Sequence, residues 1–307
     1  LMNILAIRYS GLGDIVMLLP TLKALKKRHP DSKVTLLCDK TNAQIKELSC
    51  GIIDDVVALD RNAFRQKRVT DMLREIKKII SLRGKYDVVY DFQSFGETAM
   101  LAWLVGAKER IGALKKEKYR KFYTKLRPYD TSIHRSKHFA RIAEVEMEGA
   151  PEVCIPKNVT LSLPLQSSKK TIGLNIGSTQ ESRRWSEENF KKLGEYFLSH
   201  YNVMVFFGPL EKRFLTSFDD RFIKIYDQDL VHLAYAIKQC DLFISNDTGP
   251  VHLAAALHVP TVTLFSTGED WQVGCMNEKK EFIRKNPISA ITVEEVIEKS
   301  ERLLDIA

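Results

Sequence analysis

Five cysteines in 307 residues, with no C-x-x-C pair among them, are too few and too scattered for a structural zinc site. Reduced thiols are expected instead. Long hydrophobic runs are also missing. The longest uncharged one, AMLAWLVGA (99–107), falls far short of the roughly 20 residues that span a bilayer. The opening LMNILAIRYSG lacks the basic, apolar, then small order of a secretory signal, so cytoplasmic residence is expected. No close repeat and no low-complexity tract interrupts the chain. A complete dinucleotide fingerprint is absent too: Gly11-Leu12-Gly13 begins G-x-G-x-x-G, but position 16 is Val16. Asp39, at the end of the second apolar run, is the one feature that still favours a nicotinamide enzyme.

What is present is an ordinary soluble composition, 44% apolar and 28% charged, with an uneven charge. Residues 1–150 hold 29 Lys+Arg against 18 Asp+Glu, a net of +11, and the remaining residues come to −3. A basic half suits an anionic partner, or is simply a solvated lysine surface. Short Val/Ile/Leu-rich runs alternate with helical periods: NILAIRY (3–9), KVTLLC (33–38), DVVAL (55–59) and YDVVYDF (86–92). The series restarts with TIGLNIG (171–177), NVMVFFG (202–208), FIKIY (222–226), DLFISN (241–246) and PTVTLFS (260–266). Strands buried on both faces and joined by helices predict parallel sheets of the α/β class. The proline-bearing stretch 149–170 reads as a linker, giving domains 1–165 and 166–307, each doubly wound. Ligands are then expected at the carboxyl ends of strands, in a crevice.

Three such ends carry chemistry. In SNDTGPVHLAAALHVP (245–260), Asp247-Thr248-Gly249 forms a strand-to-helix turn with Pro250 at the first helical position. Outward amides and the helix dipole make it an anion site, with Thr248 adding a hydroxyl and His252 facing the same end. The plainer alternative is that Asp247 caps the helix and His252 packs. In RYSGLGDIVMLLP (8–20), Asp14 sits on a glycine turn. A carboxylate there would repel a pyrophosphate, so general base work fits better. In NIGSTQESRRWSEENF (175–190), Arg183 and Arg184 could neutralise a diphosphate leaving group, or be an exposed pair. Glu211, just past the next strand, could accept from ribose hydroxyls or simply start a helix. Asp227-x-Asp229 has a metal-binding spacing, but Asp229 precedes an apolar helix and capping is the simpler account. No obligatory metal is expected.

Taken together, ILAIRYSGLGDIVMLLPTLKALKKRHP, GSTQESRRWSEENFKKL and SNDTGPVHLAAALHVPTVTLF resemble glycosyltransferase family 9, the heptosyltransferases. VVYDFQ (88–93) and RIG (110–112) extend the likeness over nearly the whole chain. The resemblance implies a GT-B fold of two facing Rossmann-like domains with a central crevice, the acceptor bound by the first and the sugar nucleotide by the second. It implies inverting, metal-free transfer of heptose from ADP-heptose to the lipopolysaccharide inner core, without a further cofactor. By position it gives Asp14 as catalytic base and Arg183, where the family has lysine, as a catalytic cation. Gly13, Ser178, Arg184, Glu211, Asp247, Thr248, Gly249 and His252 become the expected donor-binding set. Ser186 stands where proline is usual. Arg61, Arg65, Lys67 and Arg68 are expected to bind an anionic glycolipid or oligosaccharide acceptor. The basic, aromatic segment 115–127 could serve the acceptor or the cytoplasmic face of the inner membrane, with RNA as a rival there. No nucleic-acid partner is expected for the protein as a whole. A nucleotide-sugar epimerase or hydrolase, and a non-catalytic binder of nucleotide sugar or glycan, are the alternatives from other classes.

Overall fold

The computed structural model of the protein describes residues 2–66 and 68–306. It divides into two compact units, Leu1–Gly149 and Ala150–Ala307. The stretch read as a linker therefore belongs to the second unit, and the boundary lies at 149/150 rather than near 165. Hydrogen bonds explain why. The Val153 N–H donates to the Ala256 carbonyl at 3.1 Å. Asn202 accepts from Gln166 N–H at 3.0 Å and donates to the Gln166 and Lys169 carbonyls at 3.0 and 3.1 Å.

In the first unit, β1 (Asn3–Ile7), β2 (Lys33–Asp39), β3 (Asp55–Leu59), β4 (Val88–Asp91), β5 (Glu109–Leu114) and β6 (Lys125–Pro128) form one sheet. Their order is β3-β2-β1-β4-β5-β6, with every pairing parallel. The second unit repeats the plan with β7 (Thr171–Asn175), β8 (Asn202–Phe206), β9 (Ile223–Ile225), β10 (Leu242–Asn246), β11 (Thr261–Phe265) and β12 (Lys280–Arg284). Here the order is β12-β11-β10-β7-β8-β9, again all parallel. Both are doubly wound, Rossmann-like sheets whose order reverses beside the first strand of the unit, where such sheets place their ligands. β4, β7, β8, β10 and β11 are buried along their whole length, as apolar strands covered by helices on both faces must be.

Register fixes which turns become neighbours. Ile7 pairs with Asp91, so the turn after β1 lies beside the turn after β4. Asn175 pairs with Ser245, so the loop after β7 lies beside Asn246–Gly249. Cys38, Cys240 and Cys275 are buried free thiols, but Cys50 and Cys154 are disulfide-bonded, a correction to the expectation that all five stay reduced. Among the described residues no helix is long and apolar enough to cross a membrane.

Candidate active site

In the first unit the candidate residues gather around Asp14, in the first turn of helix Leu12–Arg28, where the helix dipole favours a carboxylate. Gly11 makes the turn possible in two ways. Its φ is +89°, and a Cβ there would come within 2.8 Å of the Asp14 Oδ2. Two arginines hold the carboxylate. Arg8, buried at the end of β1, donates to Oδ2, and Arg135 Nη1 donates to Oδ1 at 3.1 Å. Both oxygens of the carboxylate are thus engaged by guanidinium groups. Gly13 is buried in the same helical turn.

The turn itself is held by β4. Gln93 Oε1 accepts from Tyr9 N–H at 3.0 Å and from Ser10 N–H at 3.1 Å. Gln93 is placed in turn by Asp91, whose Oδ1 accepts from the N–H groups of Gln93 and Ser94 at 3.0 and 2.9 Å. Asp91 Oδ2 accepts from the Tyr123 hydroxyl at 2.7 Å. Complete burial raises the Asp91 carboxyl above the ordinary aspartate range, despite these donors. Burial first, and the Asp91 charge next, push the Tyr123 phenol well up as well.

The second unit gathers a different set at the ends of β7 and β10. Asn246, buried, accepts from Trp185 N–H at 2.9 Å and donates to the Ile176 and Gly177 carbonyls at 3.2 and 3.3 Å. Trp185 is itself fully buried, with Nε1 donating to the Ile291 carbonyl at 2.9 Å and its ring edge-on to Phe190. This anchor aims the arginines that precede it in opposite ways. Arg184 turns inward, donating at 2.6 Å to both the Ser178 carbonyl and Glu211 Oε1. Arg183 stays one-third exposed, with Nη1 3.9 Å from the Asp247 carboxylate. His252 Nε2 approaches the other Asp247 oxygen, also at 3.9 Å.

Thr248 is the N-cap of helix Gly249–Ala256, with Pro250 in the first turn. Its hydroxyl accepts from Asn175 Nδ2 at 3.0 Å. The first amides of any helix have no acceptor within it, so this turn presents N–H groups and a positive dipole end. Arg183 and His252 stand on either side of its Asp247.

Of the expected donor residues, Arg183, Asp247, Thr248, Gly249 and His252 thus come together. Ser178 and Arg184 are adjacent but committed to the loop, since the Ser178 hydroxyl donates to the Gln180 carbonyl at 2.8 Å. Glu211 is buried: Oε1 is taken by Arg184, and Oε2 lies 2.6 Å from where a Cβ on Gly208 would be. Its placement is that of a loop anchor.

Among the expected acceptor residues, Arg61 donates to Glu97 Oε1 at 2.7 Å and lies over the Tyr9 ring, beside the Asp14 turn. Arg68 points elsewhere, pairing with Asp60 and Asp71 at 3.5 and 3.3 Å. Lys67 and the Arg65 side chain lie outside the described residues. Asp39 is spent on backbone, accepting from Thr41 N–H at 3.0 Å and Arg61 N–H at 3.2 Å, which removes the feature that favoured a nicotinamide enzyme. Asp229 caps its helix by accepting from His232 N–H at 2.9 Å. Among the described residues no group of three or more His, Cys, Asp or Glu side chains is placed to hold a metal.

Arg8, Gln93 and Arg135 around Asp14 in the first unit, and Asn175 and Asn246 beside the Asp247 turn in the second, were not expected. The QS pair following β4 and the asparagine ending β10 carried a signal in principle: a polar residue at the carboxyl end of a buried strand needs partners.

Two Rossmann-like domains of all-parallel sheets, one with a carboxylate on a glycine turn and the other with a polar turn at a helix start, have the GT-B-like architecture. The family model described as glycosyltransferase family 9 (heptosyltransferase) matches residues 76–300, and the chain belongs to that family. The lipooligosaccharide heptosyltransferase 2 of Campylobacter jejuni is 25% identical over 270 residues, covering 83% of this chain and 77% of its own. A family 9 glycosyltransferase structure from Veillonella parvula superposes with a TM-score of 0.86 at 23% identity, covering 100% of this chain and 98% of its own. An Escherichia coli heptosyltransferase solved with ADP gives 0.81 at 18% identity, covering 98% and 100%.

Proposed function

We propose that this glycosyltransferase is an inverting heptosyltransferase that moves heptose from ADP-heptose to an anionic glycolipid or oligosaccharide acceptor of the lipopolysaccharide inner core. The observation that carries the reading is the convergence of Arg183 and His252, each 3.9 Å from Asp247, on the start of helix Gly249–Ala256. That is a cradle for a diphosphate, and the likeness to heptosyltransferases suggests which nucleotide sugar occupies it.

In this reading the acceptor hydroxyl attacks the anomeric carbon and gives its proton to an Asp14 oxygen. The bond from that carbon to the diphosphate oxygen breaks, and the charge left on ADP is met by Arg183, the Thr248 and Gly249 amides and the helix dipole. Arg61, beside the Asp14 turn, is the acceptor-binding cation the geometry favours. Arg184 and Glu211 act indirectly, by fixing the loop from which Arg183 projects. No metal takes part. The reaction is placed in the cytoplasm, at the cytoplasmic face of the inner membrane, because the donor is a nucleotide sugar and the acceptor a glycolipid.

The test is a thermal-shift panel of ADP, UDP, GDP and their sugars, followed by transfer assays with and without EDTA and acceptor. A ligand of the native state raises the melting temperature as its concentration exceeds Kd. ADP and ADP-heptose should stabilise most, and product of inverted anomeric configuration should form only with acceptor, unaffected by EDTA. Turnover of the donor without acceptor would point to an epimerase or hydrolase. Binding without turnover on any acceptor would point to a non-catalytic binder.

A further inference from the structure

One face of the first unit is apolar where a soluble protein should be polar. Helix Val69–Ser81 exposes Val69, Leu73, Ile76 and Ile80, at 67, 54, 37 and 57%. Positions i, i+4, i+7 and i+11 form a single stripe along the helix. The helix packs beside Gly96–Val105, which exposes Met100 and Trp103 at 48 and 52%. Trp103 in turn meets the Phe122 ring at 6.3 Å, in the 3-10 segment Glu117–Phe122. Three consecutive surface elements thus share one apolar strip, of the kind that marks an interaction site.

Its border is cationic. Lys77, Lys108, Lys116, Lys118 and Lys121 are exposed on or next to these elements. The carboxylates on the same three elements are all ion-paired: Asp71 with Arg74, Glu75 with Lys78, Glu97 with Arg61 and Glu117 with Arg120. The border therefore keeps an unopposed positive charge.

We propose that this face docks on an anionic lipid bilayer, with Val69, Leu73, Ile80 and Trp103 entering the headgroup boundary and the lysines meeting lipid phosphates. Charge complementarity selects this occupant over a second copy of the chain, since a two-fold dimer would set the same lysines against themselves. The proposal deepens the glycolipid-acceptor reading above. The helix carrying Trp103 has Glu97 in its first turn, and Glu97 holds Arg61 beside the Asp14 turn, so a docked protein would receive a membrane-held acceptor near that turn.

Flotation of the full chain with vesicles tests it without requiring turnover, so it can succeed or fail independently of the transferase reading. The protein should float with phosphatidylethanolamine vesicles containing phosphatidylglycerol, more weakly at high salt, and poorly with phosphatidylcholine alone. Leu73→Glu/Ile80→Glu should lower the affinity at least about tenfold, since both apolar anchors are replaced by charge. Lys118→Glu/Lys121→Glu should lower it by a similar factor, each lysine near the surface counting for roughly fivefold. Unchanged circular dichroism melting of the variants establishes that they are folded. Failure of the wild-type protein to float, or flotation of both variants like wild type, would overturn the proposal. So would a wild-type dimer in sedimentation that Leu73→Glu/Ile80→Glu dissolves, because the strip would then cover a second copy.

Discussion

Adjacent arginines at 183 and 184 should behave as opposites, and the structure supplies the magnitudes. Arg184 and Glu211 are 12 and 3% exposed, with a 2.6 Å contact between them and a second 2.6 Å bond from the guanidinium to the Ser178 carbonyl. Arg184→Ala leaves a buried carboxylate without its counter-ion, a change that destabilises by about 3–5 kcal/mol. For a unit of this size that is a fall of roughly 10 °C in melting temperature. Arg183 is 36% exposed and its nearest carboxylate is 3.9 Å away, so Arg183→Ala should change stability by no more than about 1 kcal/mol. It should instead weaken ADP binding, whereas Arg184→Ala should weaken it only through disorder of the loop. Melting curves and ADP titrations on both variants, with Arg184→Met/Glu211→Gln as a charge-neutral repair, read the two effects separately. Equal melting of Arg184→Ala and wild type, or a destabilised Arg183→Ala with normal ADP affinity, would refute the division.

Gln93→Leu removes the acceptor for the Tyr9 and Ser10 amides. It should destabilise by about 1–3 kcal/mol for the buried donor and reduce turnover with ADP affinity unchanged; normal kcat would show that the turn holds itself. His138 provides a pH test. Burial lowers its imidazole to about 4, opposed by Asp130 and assisted by Arg135, Lys115 and Arg141. Because the folded value lies below the unfolded 6.5, the unfolded chain binds more protons between them, and stability falls as pH drops from 6.5 to 4. The loss is of order 2 kcal/mol once solvent screening is allowed for. Urea midpoints of wild type and His138→Gln across that range should show a shallower pH slope in the variant.

The doubly wound plan was legible because its central strands are continuous apolar runs; DVVAL coincides with β3 as Asp55–Leu59. β5, β6 and β12 escaped notice because ERIGAL, KLRP and KEFIR place charges at partly exposed positions, leaving no such run. The helix Arg135–Ala143, which delivers Arg135 to Asp14, was hidden for another reason. It is capped by His134, whose Nδ1 accepts from Ser136 N–H at 3.2 Å, in place of the usual Ser, Thr, Asp or Asn. Asp14 and the Asp247 turn could be read because glycine, carboxylate and helix start are contiguous in sequence. Arg135 on Asp14 could not, since it is 121 residues distant along the chain, whereas Arg8 is only six away and is turned onto the carboxylate by the Gly11 turn. Arg183 and Arg184 look equivalent as a dipeptide, and only the seating of Trp185 separates their directions.

In the proposed reaction the two units divide the labour, with proton acceptance at Asp14 in the first and diphosphate binding at Arg183 and the Asp247 turn in the second. Parallel measurement of ADP affinity and of heptosyl transfer in Asp14→Asn tests it most directly, because the amide preserves shape and can still accept from Arg8. ADP affinity should be unchanged and turnover reduced about 10²–10⁴-fold. Transfer at the wild-type rate in Asp14→Asn would contradict it.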